Sequence, residues 1–269
     1  MTVWITGEKG FVAKSFIKHS NINVENSNES YNYWRQRVFT FQNESEIDIF
    51  DPTLKTLIER ADVDCIIHTA TISKGKEHDI IRNNIEGSFY ISKIAQELNI
   101  PILFISYINH PNKIFNLTQD TIINIFKTLD VNYINVYTDE LFGYLDTNGN
   151  ISQLLLSSAD KIDQAEINID IESKHRYTYI DDFINGLNII LLNLNKYLNK
   201  DVYIMSNEEI TLEDIIDYMS NDMEIDVNYN IQANSIKDTI IKNTILDGFY
   251  EKYPFKEALF ITRDLMLDE

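Results

Sequence analysis

The chain has 269 residues, 44% hydrophobic and 12% aromatic, enough to bury the core of one large α/β domain, or of a domain with a small lobe. Its 42 acidic against 23 basic residues leave a formal charge of −19; such a surface repels nucleic-acid backbones and anionic lipid, and an anionic ligand must be held locally by backbone N–H groups and a few placed cations. The single cysteine, Cys65, excludes an internal disulfide framework and a cysteine-rich metal site, and its place in the apolar run "DCIIHTA" points to a buried structural thiol.

In chain order, "TVWIT" (Thr2–Thr6) predicts a buried strand, followed by a turn and the helix "FVAKSFIKHS". The polar, Asn- and Tyr-rich stretch from Asn21 to Arg35 predicts a loop, "RVFTF" a strand, "DPTLKTLIERA" a helix started by its proline, and "VDCIIHTA" another strand. The helix "NNIEGSFYISKIAQEL", the strand "IPILFIS", the helix "FNLTQDTIINIFKTL" and the strand "VNYINVY" come next. After Gly149 the pattern loosens. "ISQLLLSSADKI" and "YIDDFINGLNIILLNLNKYL" predict helices, "DVYIMS" a strand, and "TLEDIIDYM" a helix with Thr211 as N-cap and Asp214 in its first turn. Strands alternating with helices predict an α/β fold: a doubly wound parallel sheet of the Rossmann type with a small C-terminal lobe. No apolar run approaches membrane-spanning length, and "VWIT" is too short for the apolar part of a leader. The expectation is a soluble, cytoplasmic protein with neither a membrane nor a nucleic-acid partner.

The first chemical signal is "TGEKGFVA", Thr6 to Ala13, directly after a strand and opening a helix. Gly7 would make the tight turn, Gly10 would admit a pyrophosphate to the backbone, and Ala13 would stand where the helix packs closely. Four further stretches follow in order: "EIDIFDP" (Glu46–Pro52), "IIHTAT" (Ile66–Thr71), "NNIEGS" (Asn83–Ser88) at a helix start, and "RYTYIDDFINGL" (Arg176–Leu187). Together, with "ELFGY", "VYIMSNEEITLEDI" and "YPFKEAL" later, they resemble the extended short-chain dehydrogenase/reductase family across nearly the whole chain. The likeness is to its nucleotide-sugar branch, near dTDP-4-dehydrorhamnose reductases and GDP-fucose synthases.

That resemblance implies a dinucleotide-binding domain over residues 1–145, with 176–206 contributing, and a substrate lobe over 146–175 and 207–269. It implies that Gly7, Gly10, Phe11 and Val12 line the pyrophosphate turn and that Asp48 with Ile49 meets the adenine. Thr69, Ala70 and Thr71 would run past the ribose and nicotinamide, and Asn83 or Asn84 would fix the strand carrying the active site. Read from the residues alone, Asp48 is a cap or turn carboxylate, Asn84 is as much a helix-start residue as a site residue, and His68 is a packed core histidine rather than a ligand. The cofactor the resemblance implies is NAD or NADP. Of Gln42, Asn43 and Glu44 after "RVFTF", Gln42 is neither kind of selector and Glu44 disfavours a 2′-phosphate, which tilts the choice to NAD, with Arg35 and Arg37 pulling the other way. The resemblance further implies a nucleotide-sugar ligand, no metal, and a homodimer built on the helices Asn84–Leu98 and Phe115–Leu129.

The family's acid/base is a tyrosine with a lysine four residues on, one helical turn away; the lysine lowers the phenol's pKa so that proton transfer works near neutrality. Aligned on strand and helix, this chain has Phe115 and Gln119 at those positions, and Tyr107 where a Ser or Thr completes the set. Asp139 and Glu140 stand where Pro and Asn are common. Two readings follow, of which the first is the expectation and the second the alternative. One is an NAD(P)-dependent nucleotide-sugar epimerase or 4-keto reductase of surface-polysaccharide synthesis, with Tyr107 as displaced acid and Lys113 or His110 supplying a cation or proton relay. The other is a catalytically silent member that binds dinucleotide or nucleotide sugar as a partner or regulatory subunit.

Overall fold

The computed structural model describes residues 1–7, 9–25, 37–39, 49–108, 110–167, 169–231 and 245–268. Its elements are β1 (Thr2–Thr6), α1 (Phe11–Glu25), β2 (Arg37–Phe39), α2 (Leu54–Arg60), β3 (Cys65–His68), α3 (Glu77–Ile81), α4 (Gly87–Leu98), β4 (Ile102–Tyr107), α5 (Lys113–Thr128), β5 (Tyr133–Thr138) and β6 (Glu140–Phe142). Then follow α6 (Asn150–Ser158), β7 (Ala165–Ile167), β8 (Lys174–His175), β9 (Tyr177–Tyr179), α7 (Ile180–Leu192), α8 (Leu194–Tyr197), β10 (Lys200–Tyr203), β11 (Ile210–Thr211), α9 (Leu212–Asn221), β12 (Tyr229–Ile231) and α10 (Phe255–Leu267). The chain forms two compact units. The first comprises Met1–Ser106, Asn112–Val136 and Ile190–Val202; the second comprises Tyr107–Pro111, Tyr137–Ile189 and Tyr203–Glu269. Residues 137–145 and 176–189, which the sequence groups with the dinucleotide-binding half, cluster with the second unit.

The first unit is built on a parallel sheet of order β10-β5-β4-β3-β1-β2. β3 is buried along its whole length and β4 along all but its last residue, because both faces are covered, as parallel strands with crossover helices require. Trp4, Ile66, Phe104, Ile122 and Phe126 lie in one buried cluster, where Phe104 meets Phe126 edge-on at 5.9 Å between ring centroids. His68 belongs to this interior. Its imidazole bridges the hydroxyls of Thr6 (2.9 Å) and Ser88 (2.8 Å), and burial lowers its pKa to about 4, so it is a neutral core histidine. Cys65 is buried, with its thiol pushed up to about 12 by the same desolvation.

Three sequence expectations are corrected. Asn21–Glu25 is not loop but the end of α1, because no glycine or proline interrupts helix propagation there. Pro52 does not start α2. The Asp51 carboxylate takes the Thr53 N–H (2.7 Å) and hydroxyl (2.6 Å) in a turn, which moves the helix start to Leu54. Asn83 and Asn84 do not open a helix either. α3 begins six residues earlier, at Glu77, and runs into α4 through one π-helical turn, Arg82–Glu86.

In the second unit, β6 pairs in parallel with β9 and β7 with β12, while β8 and β11 are antiparallel. α9 starts in the reciprocal cap its sequence announces: the Thr211 hydroxyl accepts from Asp214 N (3.0 Å), and the Asp214 carboxylate accepts from Thr211 N (3.2 Å).

Candidate functional site

The sheet order changes direction at β1: β2 lies on one side of it and β3 on the other. Ligands of open α/β sheets sit in the crevice outside the strand ends at such a point. Gly7 follows β1 there with φ +70, and a Cβ on it would stand 2.9 Å from both Ala70 Cα and Ala70 N, so only glycine fits. Gly10 N donates to Gly7 O at 2.8 Å, closing the turn into α1. The Thr6 hydroxyl accepts from Thr69 N (3.1 Å) and Ala70 N (3.0 Å), and the Thr69 hydroxyl donates back to Thr6 O (2.5 Å). The ends of β1 and β3 are thus stitched into one rim, above which the first N–H groups of α1 lack intrahelical acceptors. Gly7, Gly10, Phe11, Thr69, Ala70 and Thr71 are partly or fully exposed there, whereas Val12 and Ala13 are buried. Lys9, which sequence reasoning passed over, adds an exposed ammonium between the two glycines.

The π-turn has a structural consequence. It aims Asn84, fully buried, at the loop after β3: Asn84 Oδ1 accepts from Ile72 N (2.8 Å), and Nδ2 donates to Ile72 O (3.0 Å) and to the Thr118 hydroxyl (3.0 Å). Asn112 holds the same loop from the other side, donating to Ser73 O at 2.8 Å while capping α5 through Ile114 N and Phe115 N. Asn83, by contrast, is exposed. Ile49 packs on Gly87 near the core. Asp48, Gln42, Asn43, Glu44 and Arg35 lie outside the described residues, and so does the side chain of Arg37.

On α5, Phe115 and Gln119 are both buried, at 3% and 5% exposure. One turn separates them, and neither offers an ionisable group. Thr118 lies between them, its hydroxyl donating to Phe115 O at 2.7 Å. Lys113 is exposed at the first position of α5.

In the second unit, Tyr107 contacts the ring of His110 edge-on at 6.4 Å. Burial and the carboxylates of Asp146 and Glu140 push its phenol well above the ordinary tyrosine range, the opposite of what a lysine partner would do. The same unit gathers buried acids. Asp139 accepts from Arg176 N (3.1 Å) and faces His175 Nδ1 at 3.5 Å. Glu140 accepts from Asn150 Nδ2 at 3.4 Å. Burial first, then Asp139 and Asp146, raise Glu140 to about 7, against the opposing pull of His175 and Asn150. Sequence reasoning saw the adjacent acids but missed this near-neutral carboxyl, His175 and Tyr177, because their grouping depends on β6 pairing with β9 and on His175 reaching Asp139. Among the described residues no three His, Cys, Asp or Glu side chains are arranged to hold a metal ion, and no helix is long and apolar enough to cross a membrane.

No protein-family model and no curated protein matches the sequence. Solved structures do match the fold. UDP-glucuronic acid 4-epimerase of Bacillus cereus, solved with UDP-glucuronic acid and NAD, superposes with a TM-score of 0.76 at 16% identity, covering 100% of this chain and 99% of that one. The dTDP-glucose 4,6-dehydratase of Bacillus anthracis, solved with NAD, gives 0.79 at 13% identity over 100% and 97%. The RMD protein of Pseudomonas aeruginosa, solved with NADPH, gives 0.78 at 11% identity over 99% of each chain. The chain therefore shares the fold of these structures, a Rossmann-type parallel α/β sheet with additional C-terminal helices and strands.

Proposed function

We propose that this protein binds a dinucleotide at the Gly7–Gly10 turn and is a catalytically silent relative of the NAD(P)-dependent nucleotide-sugar epimerases and reductases, acting as a binding or regulatory subunit. The observation that carries this reading is the pair Phe115 and Gln119, buried on one face of α5 with no phenol and no ammonium between them. A phenyl ring transfers no proton, and loss of a general acid/base removes about 10²–10⁴-fold in rate. Supporting it, the rim from Thr6 to Ala70 and the Asn84 clamp keep a full set of hydrogen bonds, so the cofactor half is organised where the acid/base pair is gone. Gly7, Gly10, Phe11 and Val12 would cradle the pyrophosphate with Lys9 as local cation, Asp48 and Ile49 would meet the adenine, and Thr69 to Thr71 the ribose and nicotinamide.

A second reading, an active 4-keto reductase or epimerase with a relocated acid, has one observation in its favour: the Glu140 carboxyl is poised near neutrality. Tyr107 suits that role poorly, since its phenol moves away from neutrality. The test is a titration with NADH and NADPH followed by nicotinamide fluorescence, then single-turnover assays on a 4-keto nucleotide sugar. Micromolar binding without hydride transfer is the expected result. It should be joined by a gain of transfer in the Phe115→Tyr/Gln119→Lys double variant. Turnover by the natural chain that is lost in Glu140→Gln would establish the second reading instead, and failure to bind either nucleotide would remove both.

A further inference from the structure

The second unit places two adjacent carboxylates beside two buried hydroxyls that have no hydrogen-bond partner among the described residues. Asp139, between β5 and β6, is 4% exposed, and Glu140 opens β6 beside it. Tyr177 on β9 is in direct register with Glu140, so the two side chains leave the same face of that strand pair. The Tyr177 hydroxyl is buried, at 3% exposure for the residue, and has no hydrogen-bond partner among the described residues; the fully buried Thr138 hydroxyl, next to Asp139, has none either. Most native buried polar groups find a partner, because leaving one unmade costs the full desolvation penalty.

The neighbouring basic side chain does not answer this need. The Arg176 guanidinium donates to Ser206 O (3.0 Å), Asn207 O (3.3 Å) and the Glu209 carboxylate (2.7 Å). Asp146 has a structural task, accepting from Asn148 N, Gly149 N and the Ser152 hydroxyl in the turn before α6, and adds only negative field. The titratable groups that act on Glu140 or share its surroundings are Asp139, Asp146, His175 and the phenols of Tyr107 and Tyr177. Among the described residues, no lysine or arginine appears in that set. The one cationic candidate in the set, His175, faces Asp139 at 3.5 Å, so no group with several N–H donors is directed at Glu140 and Tyr177 among the described residues. An anionic group, a nucleotide diphosphate included, would meet repulsion there, and no metal-ligating trio is arranged among these residues.

We propose that Glu140, Asp139 and the Tyr177 hydroxyl form a binding subsite for the ammonium group of an amine-bearing small molecule, such as an amino sugar. Three N–H donors and one charge on a primary ammonium match the Glu140 carboxylate and the unpartnered hydroxyl. In the free protein a proton on Glu140 does part of that work. Ligand binding replaces it, so binding strengthens as pH rises toward neutrality. The inference goes beyond the dinucleotide reading and does not depend on it.

The probe is D-glucosamine, with glucose and N-acetylglucosamine as neutral controls, added to the full chain in a thermal-shift and calorimetric titration at about pH 5.5 and about pH 7, where its amine stays largely protonated. Glucosamine should raise Tm and bind, more tightly at the higher pH, while the controls do neither. Glu140→Gln, which keeps an acceptor for Asn150, should weaken glucosamine at least about tenfold. Tyr177→Phe separates ligand from folding: it should leave the free protein as stable or more stable, because an unmet buried hydroxyl is gone, and still weaken glucosamine. Equal binding of all three sugars, binding retained in Glu140→Gln, or no binding of glucosamine overturns the proposal. A destabilised Tyr177→Phe overturns it too, since the hydroxyl then serves a bound water and not a ligand.

Discussion

The rim at the switch point of the first unit and the carboxylate cluster of the second are built on opposite principles. Around Gly7 the site is backbone: turn, strand end and loop are tied by Thr6, Thr69 and Asn84, with their hydrogen bonds made within the unit. Around Glu140 the site is side chain: acids, phenols and an imidazole are buried together with two hydroxyls unmatched. A satisfied backbone cradle can take an anion with little rearrangement. An acid cluster with unmet hydroxyls is stable only with help from protons or a cationic ligand. The first therefore behaves as a scaffold, and the second as a group of residues held at some cost to stability.

The largest expected effect breaks the first half of that contrast. Gly7→Val forces a β-branched residue into positive φ against Ala70, costing roughly 4 kcal/mol in strain and overpacking, and chemical denaturation should show it. Gly10→Val is milder on folding, since its added Cβ meets only Gly7 O at 3.0 Å. It should abolish NADH or NADPH binding while the fold remains, and unchanged binding would sink the cofactor assignment. Next comes Asn84→Ala. It removes a fully buried side chain bonded to Ile72 and Thr118 and should destabilise by about 2–4 kcal/mol, with raised hydrogen exchange at Ile72 as the local signature.

The second half is tested by pH. Glu140 holds its proton to a higher pH folded than unfolded, so between the ordinary carboxylate range and about 7 the native state binds more protons. Stability from this group is present on the acid side and lost as pH rises through about 7. Asp182, also raised by burial, contributes with the same sign. Glu140→Gln isolates the first share: its Tm should exceed that of the natural chain by a few degrees near pH 8 and by less near pH 6. A parallel shift at both values would mean that Glu140 titrates normally. The smallest effect is a control remote from either site. Thr211→Ala loses the cap of α9 and should cost about 1 kcal/mol with neither nucleotide nor amine binding altered.

Much of this protein is legible in its sequence alone. Period and turn chemistry locate β1, the Gly7 turn, the α5 helix and the Thr211 cap, because each depends on residues within a few positions of one another: an alternation, a glycine, a hydroxyl three residues before a carboxylate. The same locality exposes Phe115 and Gln119, since a one-turn spacing on a helix is written in the sequence. What only tertiary structure decided were the meetings of distant segments. That the helix containing Asn84 starts at Glu77, and that its π-turn points the amide at Ile72 and Thr118, follows from packing among α3, α4 and α5. The near-neutral Glu140 and the stranded Tyr177 hydroxyl arise because β6 pairs with β9, a strand far along the chain. Propensity acts along the chain, whereas desolvation and charge act through space. The sequence therefore determined which groups exist and which local shapes they take, while folding alone determined which of them had to share a buried volume.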